Sequence, residues 1–507
     1  MAEDTPRPLT RRHLLARLSA GAAAAAGTPA LALAPATSLR PEPRPGNPSA
    51  RRRPSAEALV AASGLSGTVS FAVADAATGE VLEARQPDLP QPPASTLKAI
   101  TALYALDRLG PGHRFATRLL ADGALQDGRL EGDLILAGSG DPTLQTNALA
   151  DLAARAKAAG LREVTGAFRV WPGALPRIEE VDPGQPPHVG YNPAVSGLNL
   201  NFNRVHFEWR RSGAGYAITM DARSDRYRPE VRVARMRVAD RASPVYTYAD
   251  AGDVDEWTVA RGALGSSGAR WLPVREPALY AGEVFQTFAR SQGIALGSPA
   301  RVADLPAQAT ALATVESGEL RGILRDMLRY STNITAEAVG LAATAALGPP
   351  PRHLAASGSR MADWLAAGIA SRRPDFVDHS GLGDASRVSA RDMVRAMVRL
   401  GPRAGLAPIL RALPFRDSDY RPVPGSPIRI EAKTGTLNFV SALSGYVTTP
   451  GGRQLAFAIL TADLDRRAAI PPSQRDAAPG ASGWAGRSRR LQMRLIDRWA
   501  AVHDAET

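Results

Sequence analysis

The chain contains no cysteine. Thiol catalysis, disulfides and thiolate-held metals are excluded, and redox chemistry says nothing of the compartment. Its seven histidines, at positions 13, 113, 188, 206, 353, 379 and 503, form no HExxH or other close ligand pair. Chemistry without a metal or cofactor is therefore expected. Aromatic residues are 6% of the chain and the basic residues are scattered. The basic stripe with stacking aromatics that a nucleic-acid binder needs is missing. The sharpest scarcity is lysine: of 61 basic residues three are lysine, at 98, 157 and 433. Arginine stays charged under all conditions, whereas burial and neighbouring charge can neutralise lysine. Where such a chain keeps a lysine, a removable proton is a natural reason.

What is present suits a globular protein of two or three domains: 507 residues, 44% hydrophobic and 22% charged. The net charge of +12 fits an anionic polymer or, at most peripherally, a membrane surface. Residues 10–36 have a basic start, an Ala/Leu/Gly-rich stretch and small-x-small sites ending at Ala34 or Ala36. They read as an export signal over 1–36, twin-arginine-like through Arg11–Arg12, with the general secretory route as the alternative. Residues 37–56 are a Pro/Arg-rich linker.

Beyond the linker, alternating Val69, Phe71 and Val73 predict a strand, followed by a second across Thr78–Gly79. A helix is predicted from Ser95, with Leu97, Ile100, Leu103, Tyr104 and Leu106 on its apolar face, stopping at Gly110–Gly112. Short strands broken by Gly, Asp and Pro dominate 114–305, with helices at 149–160 and 276–293. Helices follow from about 310, one opening on the capping pair Ser389 and Asp392. Strands return at 428–449 and 453–464 and pair as a hairpin across "TPGGR". A final helix is predicted over 487–502. The expected architecture is α+β: a sheet with helices on both sides from 57–113 and 306–507, split by a mostly β insertion at 114–305. Oligomeric state is not legible.

Ser95 and Lys98, in "STLK", stand three apart on a helix and can meet. Ser95 falls in the first turn, where unpaired N–H groups favour developing negative charge. Its hydroxyl needs a base, and a neutral Lys98 can serve; the bland alternative is an N-cap beside a solvated lysine. In "KTGT" (433–436), Lys433 lies in a strand and Gly435 clears its backbone for a peptide-like substrate. Thr434 and Thr436 share one side and offer hydroxyls to a carboxylate. In "YSTNI", Ser331 and Asn333 project from the junction of two helices, where an ordinary N-cap is the alternative.

Serine-xx-lysine, serine-x-asparagine and lysine-threonine-glycine, in that order, are the signature of penicillin-recognising serine acyltransferases. Over residues 57–503 the chain resembles the class C low-molecular-mass penicillin-binding proteins, which are serine D-alanyl-D-alanine carboxypeptidases and endopeptidases. The long insertion and the stretches "GSGDPTL" (138–144), "SGLNLNFN" (196–203) and "HSGLGDASRVSARDM" (379–393) carry the likeness further. Where the family commonly has Asp-Gly-Ser-Gly-Leu, this chain has "DHSGL", with His379 in place of glycine.

The resemblance implies a penicillin-binding transpeptidase/β-lactamase-like domain acting in the periplasm on peptidoglycan stem peptides and binding β-lactams covalently. It implies that Ser95 is the nucleophile, Lys98 its base, and Ser331 a proton relay near Lys98. Asn333 would hold the substrate amide, backbone N–H groups of Ser95 and Thr436 would form the oxyanion hole, and Lys433, Thr434 and Thr436 would bind the terminal carboxylate. The rivals fit less well. A class A β-lactamase needs an E-x-x-L-N segment and a Ser-His-Asp hydrolase a G-x-S-x-G elbow, and neither occurs. His379 beside Ser380 reads as loop polarity. An inactive wall-binding protein on the same fold is the remaining alternative.

Overall fold

The structure, a computed structural model, describes residues 53–504. The expected export signal and nearly all of the linker lie outside the described residues. Helix α1 (Ala56–Ala61) opens at Ser55, whose hydroxyl accepts the Ala58 N–H and so satisfies one orphan donor of the first turn.

Strands from both ends of the described chain build one antiparallel sheet: β1 (Thr68–Asp75), β2 (Val81–Arg85), β3 (Arg411–Leu413), β4 (Arg429–Leu437), β5 (Val440–Thr448) and β6 (Gln454–Ala462). Their spatial order is β3-β4-β5-β6-β1-β2. The predicted pairing of β5 with β6 forms in register from Val440–Ala462 to Thr448–Gln454. β1 is buried along nearly its whole length because helices cover both faces. Val69, Phe71, Val73, Phe457 and Ile459 point to one face, where Leu491, Leu495 and Trp499 of α7 (Ala481–Val502) cover them. Trp499 sits between Phe71 and Phe457, with ring centroids 5.6 and 6.1 Å away. Truncating such a buried ring costs about 3–5 kcal/mol. Alanines 72, 74, 442, 456 and 458 form the opposite face. Their small side chains let α6 (Ala390–Arg399) approach the sheet closely, and α2 (Leu97–Leu109) shares the same core.

Between these helices lie α3 (Leu320–Tyr330), α4 (Asn333–Ala345) and α5 (Leu354–Ile369). The predicted cap of α6 forms: Ser389 Oγ accepts the Asp392 N–H at 3.0 Å. The last helix starts at Ala481 rather than at Arg487, because Trp484 is fully buried and its Nε1 donates to the Ser66 carbonyl.

The stretch between α2 and α3 has a core of its own, with Leu134, Leu149, Phe168, Trp257 and Phe285 fully or almost fully buried. It holds a six-stranded mixed sheet, in which Ala116–Gln126 lies between Arg129–Gly138 and Thr310–Glu316, and two three-stranded sheets. Helices Thr146–Ala158 and Pro277–Ser291 fall at the predicted positions. Among the described residues no helix is long and apolar enough to cross a membrane.

Candidate active site

Pro92 and Pro93 lead into a 3-10 turn, Ala94–Thr96, which runs straight into α2. Ala94 has φ +46°, a conformation that a residue with a Cβ rarely holds and that tends to mark strained functional turns. Ser95 is half-buried and Lys98, three residues on, is fully buried. Lys98 Nζ lies 2.9 Å from Ser95 Oγ, 2.7 Å from Asn333 Oδ1 and 2.8 Å from the Ser380 carbonyl oxygen. Three contacts match the three donors of an ammonium, whereas a neutral amine keeps two N–H groups and a lone pair. Asn333 and Ser380 can only accept at these atoms, so they take the two N–H groups. The lone pair is left for the serine hydroxyl. Burial pulls Lys98 down to about 8, against the opposing pull of Glu337 and Asp378. The neutral form is therefore within reach of ordinary pH.

Glu337 and Asp378 are the residues that sequence reasoning passed over. Both are buried beside Lys98. Glu337 accepts the backbone N–H groups of His379 and Ser380, each at 2.9 Å. Asp378 accepts those of Gly381 and Gly383 at 3.0 and 2.6 Å. Together they fix the loop whose Ser380 carbonyl receives Lys98. Burial, with Asp378 adding to it, pushes Glu337 up to about 8; burial also raises Asp378. One signal was available: Glu337 is the sole ionisable residue of α4 and lies one turn beyond Asn333.

His379 is not loop polarity. It is fully buried behind the cleft, its Nε2 2.7 Å from Ser357 Oγ, and burial holds it down to about 3 and so neutral. A Cβ on Gly340 of α4 would run into the imidazole. That glycine makes the room which a histidine in this loop requires.

Ser331 caps α3 in the left-handed conformation, with φ +60°. Its hydroxyl accepts from Lys433 Nζ at 2.9 Å, so the structure places it on Lys433 rather than on Lys98. Lys433 also donates to the Thr434 carbonyl at 2.7 Å. Burial, then the charges of Lys98 and Arg411, hold Lys433 well below the usual lysine range. Gly435 abuts the turn that carries Ser95, and a Cβ there would stand 2.8 Å from Ser95 N and 2.9 Å from the Pro93 carbonyl oxygen. Thr434 and Thr436, on either side of Gly435, are exposed. Strand β3 pairs only with Ile430–Ala432, so Lys433–Leu437 is left as an open sheet edge, the arrangement an extended peptide adds to.

Ser95, Ser331, Asn333 and Thr436 line one cleft of 850 Å³. The stretch between α2 and α3 supplies a wall through Gly184, Gln185 and Tyr191. Asn333 Nδ2 donates to the Tyr191 carbonyl at 2.9 Å, and Arg475 donates to that of Gly184 at 2.6 Å. Among the described residues no group of three or more His, Asp or Glu side chains is gathered to hold a metal ion. The arrangement can activate a serine hydroxyl beside a strand edge with two buried amines.

Known proteins resemble this chain over most of its length. Residues 55–478 match the D-Ala-D-Ala carboxypeptidase 3 (S13) family. The chain is 29% identical over 497 residues to a D-alanyl-D-alanine carboxypeptidase of an Actinomadura species, covering 91% of this chain and 90% of that one. It is 30% identical over 431 residues to a carboxypeptidase of Mycobacterium tuberculosis, covering 82% and 80%. The crystal structure of penicillin-binding protein 4 from Haemophilus influenzae superposes with a TM-score of 0.69 at 19% identity, covering 86% of this chain and 99% of that one. The fold is thus that of the penicillin-binding and β-lactamase-like proteins.

Proposed function

The chain belongs to the D-Ala-D-Ala carboxypeptidase 3 (S13) family, and from that premise we propose that it cleaves the terminal D-Ala-D-Ala bond of peptidoglycan stem peptides through an acyl-serine intermediate. Ser95 Oγ attacks the carbonyl between the two D-alanines while its proton passes to neutral Lys98. Backbone N–H groups of Ser95 and Thr436 receive the developing oxyanion. The C–N bond then breaks, and the leaving amine takes a proton through Ser331, which rests on Lys433. Water then attacks the ester, giving its proton to Lys433 through Ser331, while Lys98 returns its proton to the departing Ser95 oxygen. Asn333 orients the substrate amide, and Thr434, Thr436 and Lys433 bind the terminal carboxylate beside Gly435. The observation that carries this reading is the contact of Lys98 Nζ with Ser95 Oγ at 2.9 Å, with both other Lys98 partners being acceptors.

The same serine cleaves crosslinks that contain D-alanine, an endopeptidase activity, and is acylated by β-lactams. In this reading the catalytic domain is built from the chain on either side of an insertion that shapes its cleft. The expected bounds of 57–113, 114–305 and 306–507 shift at one edge, because strand Thr310–Glu316 pairs with Ala116–Gln126 and so goes with the insertion. The protein acts in the periplasm, where its substrate lies, after export through residues 1–36. Incubation with purified muropeptides, with products resolved by mass, tests the assignment. Free D-alanine from pentapeptides and separated arms from crosslinked dimers are the expected products. Neither product forming would overturn the substrate assignment.

A further inference from the structure

A second recess, of 190 Å³, adjoins the cleft. Thr436 and Arg489 line both spaces, so the two lie side by side. Given the acyl-serine reading above, on which this inference rests, its position on the substrate path is defined. The acyl carbonyl lies at Thr436 and the terminal carboxylate at Lys433 and Thr434, so the substrate runs antiparallel to β4. Whatever extends from the leaving group continues past Thr434 toward Arg411, where β3 begins opposite Ala432. The recess opens there, lined by Arg411, Thr434 and the 413–420 loop on one side and by Arg489, Gln492 and Met493 of α7 on the other. Water takes ~30 Å³ in the liquid, so the space holds a side chain and not merely the methyl of alanine.

Its chemistry has one sign. Arg411, Arg416 and Arg489 line the recess and no Asp or Glu does. Arg411 and Arg489 are exposed, and among the described residues neither side chain has an ion-pair or hydrogen-bond partner. Arg416 stacks over the Tyr420 ring at 4.8 Å and donates to the Tyr420 carbonyl. The nearby Asp417 is turned to backbone N–H groups of its own loop, those of Asp419 and Arg421. Two other arginines of the main cleft differ, since Arg467 is paired with Asp384 and Arg475 with the Gly184 carbonyl. Leu413, Pro414, Leu443 and Met493 add apolar contact for a methylene stem.

We infer that this recess is a leaving-group pocket selecting amines larger than alanine that carry a second carboxylate. An acidic D-amino acid has that chemistry, as does the acceptor arm of a peptide crosslink. Synthetic peptides sharing one acyl donor and ending in D-alanine, D-glutamate or D-glutamine test it, because the last two differ in charge but hardly in shape. In the wild-type protein kcat/KM for the glutamate substrate should exceed that for the glutamine substrate by about 10-fold, the effect of one good charge-assisted contact. That ratio should fall toward one in Arg411→Ala/Arg489→Ala. In Arg489→Glu, a change on an exposed helix face that the fold tolerates, it should fall below one. A wild-type ratio near one, or a ratio unchanged in both variants, overturns the inference while D-alanine release leaves the acyl-serine reading standing. A wild-type protein that releases no leaving group and takes no penicillin label refutes both together.

Discussion

At the scale of single residues, the two amines of the site do different work, and substitution separates them. In the proposed mechanism Lys98 holds a free lone pair toward Ser95 during acylation, which a guanidinium cannot offer. Lys98→Arg should lower the acylation rate by about 10³-fold, the usual worth of a positioned general base. Lys433→Arg keeps a cation beside the carboxylate site and should retain measurable labelling by a fluorescent penicillin. The rate should also follow pH. Acylation needs neutral Lys98, so it should rise with pH through an apparent value near 8, the level to which burial brings this group. The Glu337 carboxylate pulls Lys98 upward; Glu337→Gln should therefore move the acid limb of the profile to lower pH while reducing the maximum, because Gln cannot accept both loop N–H groups. A limb that stayed in place would show that Glu337 does not act on Lys98. The scarcity of lysine made Lys98 and Lys433 legible in the sequence. Glu337 was not, since a charge on a helix ordinarily faces solvent, and its burial depends on a loop more than forty positions downstream in the chain.

At the scale of elements, backbone clearance governs the site. Gly435 lets β4 lie against the turn that carries Ser95. Gly435→Val should force the strand and turn apart and cost about 10²-fold in kcat/KM, as ångström misplacements do, and should lower Tm as well, because its Cβ meets backbone atoms of the turn. Gly340 and His379 form a second matched pair. Gly340→Ala should destabilise by about 1–3 kcal/mol through overpacking. Much of that loss should disappear in the His379→Gly background, and denaturant melts of the four proteins of the cycle measure the coupling. Additive losses would mean that the ring does not fill the space Gly340 leaves. Apolar runs bounded by turn residues sufficed to read α2 and the β5–β6 hairpin, although both are buried on nearly every side. The start of α7 was hidden because "APGASGWAG" has a loop's composition. There the burial of Trp484 and its bond to Ser66 outweigh local propensity.

At the scale of the whole molecule, the sheet order brings the first and last strands together and sets Ser95 beside Lys433. Lys98 and Asn333 meet across 235 positions of sequence. The three motifs named the participants. The pairing of Ser331 with Lys433, and the cleft wall at Gly184, Gln185 and Tyr191, depend on how loops lie across one another, which carries no periodic signal. The central claim is that these elements converge to make Ser95 an acylating nucleophile. Mass analysis of the intact protein after exposure to benzylpenicillin, with peptide mapping of the adduct, tests it most directly. The account predicts a mass increase of one penicillin, located on Ser95 and absent from Ser95→Ala. An unmodified wild-type protein, or an adduct that persists in Ser95→Ala, would contradict it.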